Sequence, residues 1–285
     1  MRIEPAVLRL GDRTVAEYVW CPELPAAAAP RPYLHPVRTM AGTVVTALKP
    51  TSHLHHLGAS IAVADIDGHN FWGSRTFVEG HGPAWLNNHG TQEHVRWAQR
   101  TPSRLRHSLR WLSIDREQLL TERRTWSARP VDAGVWALTC EFDLTNSTAR
   151  TLRIQSPAAV GRAGAGFGGF FWRAPSGPGE CRVAATSGDS TDAIHGSRSP
   201  WLAVSAPAGE QSWWTLVFIA ASPQTRDDRW FLRTRDYIGV GSALSWESPL
   251  MLPPDATLRR RIVVAVADGL LPPDRAAALA AELAT

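Results

Sequence analysis

The stretch "ASIAVADIDGHNFWG", residues 59–73, carries the pattern that decides the fold. An apolar run climbs to an Asp67-Gly68 pair, and the chain then returns through aromatic residues. A two-residue Asp-Gly connection suits the type I′ hairpin turn, which needs positive φ at both positions and here sets Ile66 opposite His69. "AVLRLGDRTVAEYVW" (residues 6–20) repeats the layout around Gly11-Asp12. Further strands are expected in "HSLRWLSI", "QLLTERRTWSARP", "GVWALTCEFDLTN", "TARTLRIQSP", "ECRVAATSG", "PWLAVSAP", "WWTLVFIAAS" and "TLRRRIVVAVADG", separated by Gly, Pro, Asn and Ser turns. A helical apolar period emerges only in "PPDRAAALAAELA", where Pro273 fits a first helical turn. Many strands without alternating helices predict one all-β domain over residues 1–285: a large antiparallel β-sandwich with a short C-terminal helix.

Composition narrows the functional classes. The chain has 285 residues, 44% of them apolar and 20% charged, enough to bury a large core. No apolar run approaches the roughly 18 residues that cross a bilayer, and charges interrupt the N-terminal segment, so a cytoplasmic protein is expected. Three cysteines (Cys21, Cys140, Cys181) without CxxC spacing argue against a disulfide framework or a thiolate zinc site, and are expected to be buried. The net charge is +4, but arginines alternate with acids, as in "SIDREQLLTERR". That reads as a solvated surface rather than a nucleic-acid stripe. The run Arg259–Arg261 falls within an expected strand.

Four of the ten histidines crowd into "SHLHHLG" and the following turn: His53, His55, His56 and His69. In an extended segment His53 and His55 share a face and His56 opposes them. Such imidazoles bind a divalent metal if Asp65, Glu79 or another histidine joins them, or transfer protons, or grip a polar ligand, or merely form a hydrogen-bonded turn. Thirteen tryptophans are several times ordinary usage. Trp111, Trp126 and Trp136 alternate as core positions do, whereas Trp72, Trp85, Trp172, Trp201 and Trp230 sit at expected strand ends, where an indole face suits a sugar ring. Arg38, Arg173, Arg233 and Arg235 stand beside aromatics, and a guanidinium forks onto carboxylates or vicinal hydroxyls. The glycine-rich "AVGRAGAGFGGFF" does not open a helix, so it reads as close backbone packing rather than a phosphate loop.

Taken in order, "RPYLHPVRTMAG", "SHLHHLG", "DGHNFWG", "LLTERRTW", "FGGFFWR" and "GSRSPWLAVSAP" resemble the soluble bacterial family labelled "methane oxygenase PmoA", also treated as a domain of unknown function. The resemblance runs from about Arg31 to about Gly269. The membrane subunit of that name spans a bilayer, which this sequence does not. The family's β pattern is similar to the galactose-mutarotase sandwich, and its members accompany sugar dehydrogenases. The resemblance therefore implies a carbohydrate ligand and a sugar dehydrogenase as a partner. Carried over by motif, His53, His55 and His56 match the HxHH segment, and Tyr33, His35 and Arg38 the "RPYxHPxRT" segment. Asn70 and Trp72 match the NFW turn, and Arg173 the glycine–arginine segment. "AASPQTRDDRW" departs from the family's "DHPxNPxxPxxW", losing an aspartate and a histidine.

The expectation is an enzyme acting on a sugar or oxidised sugar. His53, His55 or His56 serves as acid or base with Arg173 at the catalytic centre, while Tyr33, His35, Arg38, Asn70, Trp72, Trp172 and Trp201 bind substrate. A divalent metal on His53 and His55 is an open alternative, and so are a non-catalytic carbohydrate binder and a metal-dependent oxygenase.

Overall fold

The computed structural model describes residues 4–177, 179–209 and 211–285. Asp67 and Gly68 adopt φ of 51° and 86°, and Ile66 bridges His69, as the turn chemistry requires. Two large antiparallel sheets follow. One runs, edge to edge, Ala6–Leu10, Arg13–Val19, Tyr33–Val37, Ala59–Ala62, Gly169–Ala174, Ile238–Ala243 and Arg229–Arg233. The other runs Arg182–Ala185, Trp201–Pro207, Trp213–Ala220, Thr257–Asp268, Val135–Asn146, Gln118–Asp132, Arg104–Leu112 and Thr91–Thr101. Both interrupt the chain order, so strands distant in sequence become neighbours: Ala59–Ala62 pairs directly with Gly169–Ala174.

The sheets face one another across a single apolar core. Alternation along Gly169–Ala174 sends Phe170, Trp172 and Ala174 inward, where Phe170 and Trp172 meet Phe218 of the opposite sheet. Trp111, Trp126 and Trp136 are core positions, as their spacing predicts. The helix Pro273–Leu283 covers the far side of the eight-stranded sheet with Ala276, Leu279, Ala280 and Leu283, one stripe of a 3.6-residue period. Strand Thr257–Asp268 is thereby covered on both faces, which accounts for its unbroken apolar run Ile262–Ala267.

Charge placement differs from the sequence expectation. In "SIDREQLLTERR", Glu122 and Arg124 point into the core, fully buried, because period-two alternation turns every second residue inward whatever its polarity. Burial is tolerated because Arg124 donates to Glu122 at 2.6 and 2.7 Å and to Gln92 at 2.8 Å, while the Trp111 indole donates to Glu122 at 2.7 Å. Arg260 likewise points inward and forks onto Asp228 at 2.6 and 2.7 Å. All three cysteines are free. Cys140 is buried as expected, but Cys21 is exposed and Cys181 half-buried, since each lies outside the core-facing positions of its segment. Among the described residues no helix is long and apolar enough to cross a membrane.

Candidate functional site

The outward face of the seven-stranded sheet carries the functional candidates. The same alternation that buries Phe170 and Trp172 turns Phe171 and Arg173 outward, and Phe231 and Arg233 follow on Arg229–Arg233. Between them the strand Ile238–Ala243 presents glycines. A Cβ on Gly239 would lie 2.7 Å from the Tyr237 ring, and one on Gly241 would lie 3.1 Å from the Phe170 carbonyl. Bare backbone here leaves room for Phe171 and Tyr237 to lie across the sheet. Phe171, Phe231, Ala62, Ala64 and Trp72 form a small apolar floor, with Phe167 and Trp246 packed against it.

Over this floor folds the histidine segment, and not as an extended strand. His53 N–H donates to Pro50 O at 2.8 Å and His56 N–H to His53 O at 2.9 Å. These successive turns cancel the alternation expected of His53, His55 and His56. Instead the three rings cluster, with centroids 4.6 Å apart for His53–His56 and His55–His56 and 5.8 Å for His53–His55. Leu54 points away and is 63% exposed.

Arg31 holds this loop in place. Its buried guanidinium donates to the carbonyls of His55 (2.7 Å), Trp72 (3.0 Å), Ala28 (3.0 Å) and Ala29 (3.1 Å), and to Ser60 Oγ (3.3 Å). One side chain thus ties the HxHH turn, the NFWG turn and a sheet strand together. Asn70 shapes the NFWG turn: its Oδ1 accepts from Trp72 N–H and Gly73 N–H, both at 2.8 Å. The motif glycines are steric requirements. Gly73 has φ +98° and a Cβ there would sit 2.8 Å from His55 Cβ, whereas a Cβ on Gly58 would sit 2.1 Å from Leu34 O.

The result is a cleft of about 340 Å³ whose lining includes His53, His55, His56, Asn70, Trp72, Phe167, Arg233 and Tyr237. Arg173 lies behind this wall. It is 4% exposed, stands over the Tyr237 ring at 4.0 Å, and brings Nη1 to 3.4 Å from His56 Nδ1. Because arginine only donates, His56 Nδ1 faces it as an acceptor, which assigns the ring proton to Nε2. Burial chiefly, then the Arg31 charge, pulls the His55 pKa down to about 3. His56 is lowered further, by burial first and then by its histidine neighbours. Burial, followed by Arg173, lowers His53 as well. All three imidazoles are therefore neutral at physiological pH. The His55 ring makes no hydrogen bond among the described residues, so its lone pair is free within the cleft.

The other expected residues scatter. Trp172 belongs to the inter-sheet core, its indole donating to Val45 O at 2.8 Å, and so is not a ligand platform. Trp201 lies beneath the C-terminal helix on the opposite sheet, because its strand joins the eight-stranded sheet. Tyr33 and His35 lie on the neighbouring strand and Arg38 directly after it, all outside the cleft lining. His35 Nδ1 bonds Thr46 Oγ1 at 2.9 Å, and the Arg38 carbonyl accepts from the Trp136 indole at 3.0 Å. Among the described residues no group of three His, Cys, Asp or Glu side chains is arranged to hold a metal ion, the clustered imidazoles included. Asp65 reaches the cleft but spends its oxygens on Gly68 N–H and Gln155. Sequence reasoning passed over Arg31 and Tyr237. The first stands inside the quoted "RPYLHPVRT" motif, and the second follows Arg233 and Arg235 in "WFLRTRDY".

Fold and cleft define a two-sheet β-sandwich protein bearing a polar, aromatic-floored site on one outer face. The chain belongs to the family of unknown function DUF6807, whose match covers residues 6–281. No curated protein matches the chain significantly.

Proposed function

We propose that the protein is an enzyme acting on a sugar or oxidised sugar derivative, removing a proton beside a carbonyl. One observation carries the reading: neutral imidazoles from a single turn meet guanidinium and aromatic side chains of distant strands in one cleft. His55 is the base, since its ring is neutral and unpartnered. The substrate C–H bond breaks, its proton passes to the imidazole, and the electron pair moves onto the carbonyl oxygen. Arg233 and the His56 Nε2–H stabilise the resulting enolate. Delivery of a proton from solvent to the opposite face, with the proton on His55 released to solvent, gives epimerisation. Loss of the β-hydroxyl as water, protonated by the imidazolium, gives elimination. Trp72 and Phe167 offer flat apolar surfaces for the sugar's C–H face. The resemblance to the PmoA-labelled family and to mutarotase-like sandwiches supports a carbohydrate ligand by analogy.

Deuterium incorporation tests this reading. Aldonates, uronates and their keto forms are incubated with the protein in D₂O and followed by proton NMR. Loss of the signal beside the carbonyl is expected with the native protein and is abolished by His55→Gln at unchanged urea midpoint. Exchange that survives in the variant rules out His55 as the base. A second reading, a carbohydrate-binding protein without turnover, is favoured by one feature: no carboxylate contacts any of the three imidazoles among the described residues. It predicts saturable binding with no exchange.

A further inference from the structure

Buried arginines in this protein are otherwise matched. Arg124 forks onto Glu122, Arg260 onto Asp228, and Arg31 gives its hydrogens to four carbonyls and a hydroxyl. Arg173 breaks that rule. It is 4% exposed, its Nε is sealed from solvent without a partner, and among the described residues it forms no ion pair. Three further arginines line the same cleft: Arg75, Arg162 and Arg233. None of them is in an ion pair among the described residues, a condition they share with other exposed arginines such as Arg96 and Arg106. Against these three stands a single lining carboxylate, Asp65, already engaged by Gly68 N–H and Gln155. Arg233 and Arg173 both approach the Tyr237 ring, at 5.6 and 4.0 Å, so their charges concentrate at one end of the site. Solvent reaches the exposed side chains of Arg75, Arg162 and Arg233, so the charge a ligand would chiefly offset is that of the buried Arg173 behind Tyr237.

We infer that the ligand of this cleft is a sugar acid, whose carboxylate seats against Arg233 and Tyr237 above the buried Arg173 charge. This deepens the proposed function and rests on the same site. A carboxylate fits better than a phosphate. The glycine-rich stretch beside the cleft runs into the strand Gly169–Ala174 instead of a helix, and the single 3-10 turn Pro157–Val160 at the cleft opens with a proline and gives its Ala159 N–H to Ser156 Oγ. The polyol chain then lies over Trp72 and Phe167, within reach of His55 and His56. A bound anion offsets the arginine charges that disfavour protonated imidazole, so the acid group strengthens the base that acts on it.

Calorimetric titration of the full chain tests the inference. The probes are D-galactonate and D-glucuronate, with galactose, glucose and glucose 6-phosphate as comparisons, at low and high salt. Expected are saturable binding of the acids at millimolar concentration or below, at least about tenfold weaker binding of the neutral sugars, and weakening by salt. Arg233→Gln, on an exposed side chain, is expected to weaken acid binding at least about tenfold. No saturable acid binding, equal affinity for acid and neutral sugar, preference for the phosphate, or an Arg233→Gln variant that binds acids normally each overturns it. Acid binding without deuterium exchange would sink the enzyme reading alone, whereas exchange confined to neutral sugars would sink this one alone.

Discussion

Acidification from about pH 7 to about pH 5 is expected to strip this protein of a large part of its stability, and the cause is its buried neutral histidines. His107 is fully buried, bonded to Tyr18 Oη at 2.8 Å and to His94 at 2.9 Å; burial first, then the Arg124 charge, lowers its pKa to about 2. His55 is lowered to about 3, and His56, 2% exposed, is lowered further. Unfolded, each returns to about 6.5. A folded pKa below the unfolded one contributes stability above the unfolded value, and that stability is lost as pH falls toward the folded pKa. At about pH 5 an unfolded imidazole gains about 2 kcal/mol from protonation, against a few tenths at about pH 7. The result is insensitive to the folded values once they lie well below 5. Three such groups remove roughly 6 kcal/mol, comparable to the roughly 5–15 kcal/mol total of an ordinary domain. Asp65 and Asp228, raised by burial, act in the opposite sense and offset part of this loss. Urea unfolding at half-unit pH steps measures the effect, and His107→Gln is expected to reduce the slope by about one proton's share. A stability that stays flat between these pH values would refute the neutral-burial argument.

Two further perturbations address the clamp beneath the site. Arg31→Lys keeps the charge but offers three donors where five contacts exist, so a loss of about 3 kcal/mol is expected in urea unfolding. An unchanged midpoint would show that the loop is held by something else. Gly73→Ala forces an L side chain to φ +98° and drives its Cβ against His55. It is expected to cost roughly 2–3 kcal/mol and to shift the His55 ring signals in NMR, while Gly80→Ala, with open space around it, leaves those signals in place.

The sequence by itself determined the local rules. Asp67-Gly68 dictated a tight hairpin, alternation marked the strands Arg104–Leu112, Gln118–Asp132, Val135–Asn146, Trp201–Pro207, Trp213–Ala220 and Thr257–Asp268, and Pro273 with its alanines gave the terminal helix. It also brought His53, His55, His56, Trp72 and Arg173 into one set by motif. Those features depend on neighbours a few residues away, which a linear pattern records. Which face each strand turns to which sheet was left to the tertiary structure. Only sheet order decided that Trp172 packs inside while Arg173, one residue on, turns outward behind the cleft wall, and that Trp201 lies under a helix on the other sheet. Pairing of Ala59–Ala62 with Gly169–Ala174 carries the histidine turn to its arginine, a contact between residues 117 positions apart. Arg31 and Arg173 look alike as letters. One has its donors taken up by carbonyls and a hydroxyl while the other leaves its Nε without a partner, and that difference exists only once distant backbone has been folded around them.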